Sequence, residues 1–347
     1  MNNYIQNPAP YNPYPGGNPY NPLNLIRQNE RKKLRKTSNG LGLYVLFYFL
    51  TMQISATIIV IAFRIGGIDV QNPTLEFTMD IFLSILSALI PGLIYLSASG
   101  YRVSDSFGKS HVKATLLIPL VLMGMGFSML ANNAAELFDQ NISIFGLENS
   151  ASLMNEQNLN AFQMFLYAFA VSVIPALAEE FGFRGIVMGR LRKYGDCFAI
   201  IASAVMFGSI HGNTTQMIFA FLLGLILGFV DCAADSIVPS VVIHFANNFY
   251  AVVMDILQKN TNIEQSTFML ISIGSTALFC LAGILSFIYL AITDKSIFKF
   301  SSIVKSEYEC SDSLTYKEKF KTFFTSPVVI ISLVLFLTSM VFYLIIE

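Results

Sequence analysis

The amino-acid sequence predicts an all-α protein, a polytopic bundle of about nine membrane-spanning helices with its N-terminus inside. Three observations carry that reading. Of 347 residues, 54% are hydrophobic and only 12% charged, where a soluble domain has about 25% charged. Long apolar runs recur from Gly40 onward, separated by polar or Gly/Pro-containing stretches. Lys and Arg alternate in density between successive connecting segments, as they do in membrane proteins. The net charge of −1, from 21 Lys+Arg against 22 Asp+Glu, leaves no basic face for a nucleic acid. Cys197, Cys232, Cys280 and Cys310 stand far apart, without a C-x-x-C pair, which fits neither a zinc cage nor a disulfide framework.

Taken in order, residues 1–38 read as a disordered cytoplasmic tail with a basic end. Residues 4–22 hold six of the twelve prolines, and RQNERKKLRK follows; proline removes donors and fixes φ, so neither helix nor core is expected there. The basic run follows the proline-rich part and directly precedes an apolar segment, so this is no signal peptide. The membrane bundle is expected over 39–292, with spans at 41–63, 80–99, 114–131, 161–180, 197–212, 215–232, 237–257 and 268–292. A basic cytoplasmic loop, 293–325, leads to a last crossing at 326–347. Most of these runs reach the ~20 residues that cross ~30 Å of hydrocarbon; 197–212 is short and carries a histidine. With nine crossings, the inner segments hold 19 of the 21 Lys+Arg, and the outer loop 132–160 holds none. That asymmetry satisfies the positive-inside rule.

Polar residues inside the apolar runs are the informative ones, because an intramembrane acid costs roughly 2.5–3.5 kcal/mol on insertion scales. Three runs carry them: Ala178-Glu179-Glu180 with Phe181-Gly182-Phe183-Arg184; Phe207-Gly208-Ser209-Ile210-His211; and His244-Phe245-Ala246-Asn247-Asn248. Folded as a hairpin about residues 190–195, Glu179 and His211 both lie about 23 Å from the tip. His244 and Asn248 lie about 12 and 18 Å from Ser236, one turn apart on one face. Three helices can thus present a carboxylate, two imidazoles and a carboxamide to one cavity.

Simpler roles compete for each residue. Glu180 and Arg184 are i, i+4 in the favourable order for a helix ion pair. The histidines and Asn247 could be interhelical hydrogen-bond partners, and Gly224-Leu225-Ile226-Leu227-Gly228 reads as a small-residue packing stripe. These readings do not account for Glu179, His211, His244 and Asn248 falling at compatible depths. H-E-x-x-H, G-x-S-x-G and Walker patterns are absent from the sequence.

The ordered set Glu179-Glu180-x-x-x-Arg184, Phe207-x-x-x-His211 and His244-x-x-x-Asn248 resembles the CPBP intramembrane protease family, also called Abi. That family includes CAAX prenyl endopeptidases and bacterial relatives tied to bacteriocin processing and self-immunity. The resemblance covers roughly residues 160–257. It implies that Glu179, with His211, activates a water for attack on a peptide carbonyl, and that His244 and Asn248 donate to the oxyanion. Glu180 and Arg184 would support them. Arginine pairing favours a carboxylate's charged form while desolvation disfavours it, so Glu179, with Phe183 rather than Arg at i+4, is expected to be the base. Glu179, His211 and His244 are also ligand types that zinc could take, and metal-assisted and metal-free mechanisms both stay open. The expected partners are membrane lipid and a peptide or membrane-associated protein substrate, such as a bacteriocin precursor or a prenylated protein. Asn/Lys/Ile/Phe-rich usage without Trp suggests the plasma membrane of a low-GC bacterium. The rival reading is a non-enzymatic immunity or scaffold protein that uses the same polar cluster for binding.

Overall fold

The computed structural model describes residues 22–69, 72–108, 111–143, 158–298 and 313–346. The proline-rich stretch 1–21, the middle of the outer loop 132–160 and Cys310 lie outside the described residues. The chain is built of helices: α1 (Pro22–Ile65), α2 (Pro73–Ser99) and α3 (Ala114–Ser143). The continuous helix α4 (Ala161–Arg192) follows. Next come α5 (Asp196–Ser209), α6 (Thr214–Ala234), α7 (Val238–Asn260) and α8 (Gln265–Thr293). The chain closes with α9 (Tyr316–Phe324) and α10 (Pro327–Ile346). Among the described residues no strand forms, and one isolated bridge joins Gly108 to Ser236.

Local chemistry explains the boundaries. Pro22, Pro73 and Pro327 open their helices, where the missing N–H costs nothing. The Asn72 side chain accepts from the Thr74 and Leu75 amides at 3.0 and 3.3 Å, and Gly100, at φ 63°, ends α2. Asn160 and Gln163 form a capping box on α4, and Asn213 caps α6 through the Gln216 amide at 2.7 Å.

Among the described residues, seven helices are long and apolar enough to cross a membrane, or eight if α9 and α10, bent by 66°, count as one span. The expected count of nine is reached only if the shorter α5 crosses as well. The apolar run 197–212 is the 14-residue α5, about 21 Å long at 1.5 Å per residue and short of a ~30 Å core. The helix stops at Ser209, and residues 210–213 make a turn. Helix α5 still lies antiparallel along α6. A methyl group on Gly208 would meet Met217 and Phe221; on Gly224, Ala204; on Gly228, Ile200. The small-residue stripe is therefore a packing surface, as it reads from sequence.

One correction concerns the tail. Residues 22–38 are not disordered but form the first turns of a 44-residue helix, about 66 Å long and twice what a bilayer needs. Its basic extension is docked: Arg27 donates to the Ser313 carbonyl at 2.9 Å, Arg31 pairs with Glu318, and Asn39 accepts from the Val328 amide at 3.1 Å.

Further contacts gather the segments read as inner at one end of the bundle. Arg192 pairs with Asp196 at 3.0 Å and reaches Asp235 at 3.8 Å, the Ile237 amide donates to the Phe107 carbonyl, and Arg190 lies 5.0 Å over the Tyr101 ring. The segments read as outer meet one another as well: Thr215 donates to Asp139 at 2.7 Å, and Asn260 donates to the Leu159 carbonyl at 3.1 Å. Between the two ends the flanks are apolar and open, with Leu93, Leu270 and Leu278 each more than 60% exposed. Such faces suit lipid rather than water.

Candidate active site

The site is built on α4, which is not a uniform helix. A π-helical turn, Phe169–Val173, precedes Pro175, and a second π stretch, Glu180–Met188, begins at the second acid. Proline has no N–H, so the Val171 carbonyl lacks its α-helical donor at residue 175. Asn248 of α7 supplies one instead, its Nδ2 donating to the Val171 oxygen at 3.0 Å. In the second π stretch, Ser203 of α5 donates to the Phe183 carbonyl at 3.0 Å. Wide turns of this kind recur at functional sites.

The two adjacent acids end on one imidazole. Glu180 is fully buried, and its Oε1 meets His244 Nδ1 at 2.9 Å and Arg184 Nη1 at 3.1 Å. Glu179, 19% exposed, brings Oε2 to 3.7 Å from His244 Nε2, an ion-pair distance longer than a direct hydrogen bond. The expected ion pair between Glu180 and Arg184 forms. The acid partner expected for His211 does not: His211 lies in the turn after α5, and its Nδ1 is 2.9 Å from the Phe207 carbonyl. A carbonyl only accepts, so Nδ1 carries the proton and Nε2 is left as the acceptor of the neutral ring.

Phe207 packs these groups together. Its ring lies 4.7 Å from the Arg184 guanidinium, 5.1 Å from the His211 ring and 6.1 Å from that of His244. Arg184 also points Nη2 at the Gly224 carbonyl, 3.4 Å away. With only 2% of its surface exposed, Arg184 is part of this cluster and not one of the solvated basic residues of the inner segments.

Glu179, His211 and His244 do not converge as a ligand set. Among the described residues no three His, Cys, Asp or Glu side chains, these three included, are arranged to hold a metal, where a catalytic zinc needs three convergent protein ligands. The zinc reading therefore does not fit these residues.

Two polar residues escaped the sequence reading. Asp231 of α6 is 3% exposed, lies beside Ser240 and within electrostatic reach of Glu180 and Arg184, and has an Oδ1 without a hydrogen bond. An acid inside an apolar span was the available signal. Tyr48 of α1, 3% exposed, lies within electrostatic reach of Glu179; nothing in its own segment sets it apart from the other aromatics.

Fold and site together define a polytopic helical membrane protein with a buried carboxylate–imidazole cluster. Within that class, residues 161–250 match the family described as type II CAAX prenyl endopeptidase Rce1-like. The match agrees with the CPBP/CAAX protease resemblance of the motifs and contains Glu179, Glu180, Arg184, His211, His244 and Asn248. No curated protein and no solved structure matches the chain.

Proposed function

We propose that the protein is an intramembrane endopeptidase that hydrolyses a peptide bond with water activated by Glu179. One observation carries the proposal: His244 stands between two carboxylates, Nδ1 on Glu180 at 2.9 Å and Nε2 facing Glu179 at 3.7 Å. Glu180 fixes the ring, so Nε2 and the Glu179 carboxylate face the same space. Glu179 takes a proton from water, assisted by the acceptor Nε2 of His211, and the water oxygen bonds to the scissile carbonyl carbon. His244, as an imidazolium compensated on both sides, donates from Nε2 to the developing oxyanion. The second Nδ2 hydrogen of Asn248 adds to that donation. The C–N bond then breaks, and the proton held by Glu179 passes to the leaving amine.

The substrate class follows the family description and the motifs: a prenylated peptide, or a membrane-associated precursor such as that of a bacteriocin. The test uses purified full-length protein in vesicles with chelator present. It is offered a farnesylated CAAX peptide, its unprenylated form and an apolar precursor peptide. Wild type should cleave at least one, and Glu179→Gln, with its helix content intact, should cleave none. Retained cleavage in that variant would remove Glu179 from its role. If wild type cleaves none of the three, and Glu179→Gln preserves the protein's activity in cells, the scaffold reading takes over.

A further inference from the structure

A second candidate site shares no residue with the carboxylate–imidazole cluster. Where α1 and α2 meet the end of α4, a cavity of about 430 Å³ opens at the basic end of the bundle. Lys33, Lys36, Arg190 and Lys193 line one part of it, and no acidic side chain does. The remaining wall is mostly apolar and includes Leu43, Phe47 and Ile94, which are 44%, 40% and 54% exposed on the lipid-facing flank. The cavity is thus cationic where head groups lie and open sideways where acyl chains lie. Burial and the neighbouring Arg190 hold the Lys193 ammonium below its ordinary value, while Glu30, paired with Lys33 at 2.9 Å, offsets part of the charge; four basic side chains against this one acid leave the site net positive, which suits a negative ligand.

We infer that this cavity binds one anionic phospholipid of the leaflet at the basic end. Its phosphate sits among Lys33, Lys36, Arg190 and Lys193, and an acyl chain lies against Leu43, Phe47 and Ile94. Basic pockets between membrane helices recognise such head groups, and long basic side chains reach the interface from apolar stems. Segment 1–21 offers no countercharge, because it contains no Asp or Glu. The site is separate from the carboxylate–imidazole cluster and does not depend on the protease reading.

The chain has no tryptophan, so one introduced residue reports alone. Phe47→Trp marks the cavity, and Phe287→Trp on α8, with the same 40% exposure, is the control. Each is placed in phosphatidylcholine vesicles carrying a minor fraction of brominated phosphatidylglycerol or of brominated phosphatidylcholine. Phe47→Trp should be quenched preferentially by the anionic lipid, and Phe287→Trp equally by both. Lys33→Gln/Lys36→Gln, at two exposed positions of α1, should lower the preference about fivefold for each lysine removed. Arg190→Gln should lower it too, and circular dichroism verifies that the helices persist. Equal quenching by the two lipids overturns the proposal. So does relief of quenching by inorganic phosphate, which would make a free anion the ligand. A preference that emerges only after Glu307→Gln/Glu309→Gln would make an acidic segment of the chain itself the occupant, and would overturn it equally.

Discussion

At the scale of single residues, the site turns on how buried charges are compensated. Glu180 is fully buried, and its partners Arg184 and His244 are 2% and 3% exposed. Removing its charge alone leaves a guanidinium uncompensated in a dry environment, which costs about 3–5 kcal/mol. Glu180→Gln should therefore lower stability by that order and slow cleavage about ten- to hundredfold. Glu180→Gln/Arg184→Met, which removes the stranded charge as well, should recover most of the stability but not the rate. Denaturant unfolding and peptide cleavage on the same preparations separate the two effects. Asn248 has a structural duty beside its proposed chemical one, because it satisfies the carbonyl that Pro175 leaves without its helical donor. Asn248→Ala should cost about 1–3 kcal/mol, the price of a buried acceptor left unpaired. In a Pro175→Ala background, where residue 175 regains its N–H, that loss should shrink. A double-mutant cycle measures the difference, and equal losses in both backgrounds would refute the link.

At the scale of elements, close backbone approach decides which helices can meet. A methyl group added at Gly208 would stand 2.8 Å from the Met217 carbonyl oxygen and 2.9 Å from the Phe221 side chain, whereas one at Gly274 meets nothing within 4 Å. Gly208→Ala should destabilise by about 1–3 kcal/mol through overpacking. Gly274→Ala should be neutral or stabilise by up to about 1 kcal/mol through helix propensity. Thermal unfolding of the two in one detergent tests the contrast, and equal shifts would contradict the α5–α6 packing. The starts of α3 to α8 and of α10 fall within about three residues of the apolar runs, whereas α2 opens seven residues before its run, at Pro73 behind the Asn72 cap, and α3 and α4 continue twelve residues beyond theirs. The end of α5 was not legible. Its apolar run continues through Ile210, and only the turn at 210–213 separates a 14-residue helix from a full crossing. The extension of α1 was missed for a similar reason: its basic turns are held by contacts with Ser313 and Glu318, almost 290 residues away.

At the scale of the whole molecule, the charge asymmetry and the contacts agree. Segments 22–40, 100–108, 190–196, 233–237 and 313–328 meet at one end, and the outer connections at the other. Of the Lys+Arg counted as inner, Arg184 alone belongs to the buried cluster, and the remaining eighteen keep the asymmetry. Reporter fusions after residues 110 and 310 should therefore read cytoplasm, and a fusion within 135–158 should read outside. An inverted result at any of the three would break the orientation. Because α5 is only 14 residues long, these fusions also decide whether it counts as a traverse.

By itself the sequence determined the class of the protein and the inventory of its site. Apolar runs, a charge deficit and uneven basic residues require a membrane bundle, because bilayer thickness and the cost of burying charge act on composition directly. Glu179, Glu180, Arg184, His211, His244 and Asn248 stood out because each is expensive in lipid. The Glu180–Arg184 pair was readable because i, i+4 spacing is local. Which imidazole Glu179 faces was decided only by the tertiary structure. Depth along a helix follows from residue count, but azimuth depends on how α4 packs against α5 and α7, and two π stretches in α4 change that azimuth part-way along it. His244 is buried, and His211 is half-buried in its turn. The packing of α7 brings His244 between the two acids, and the turn that ends α5 directs His211 to its own backbone.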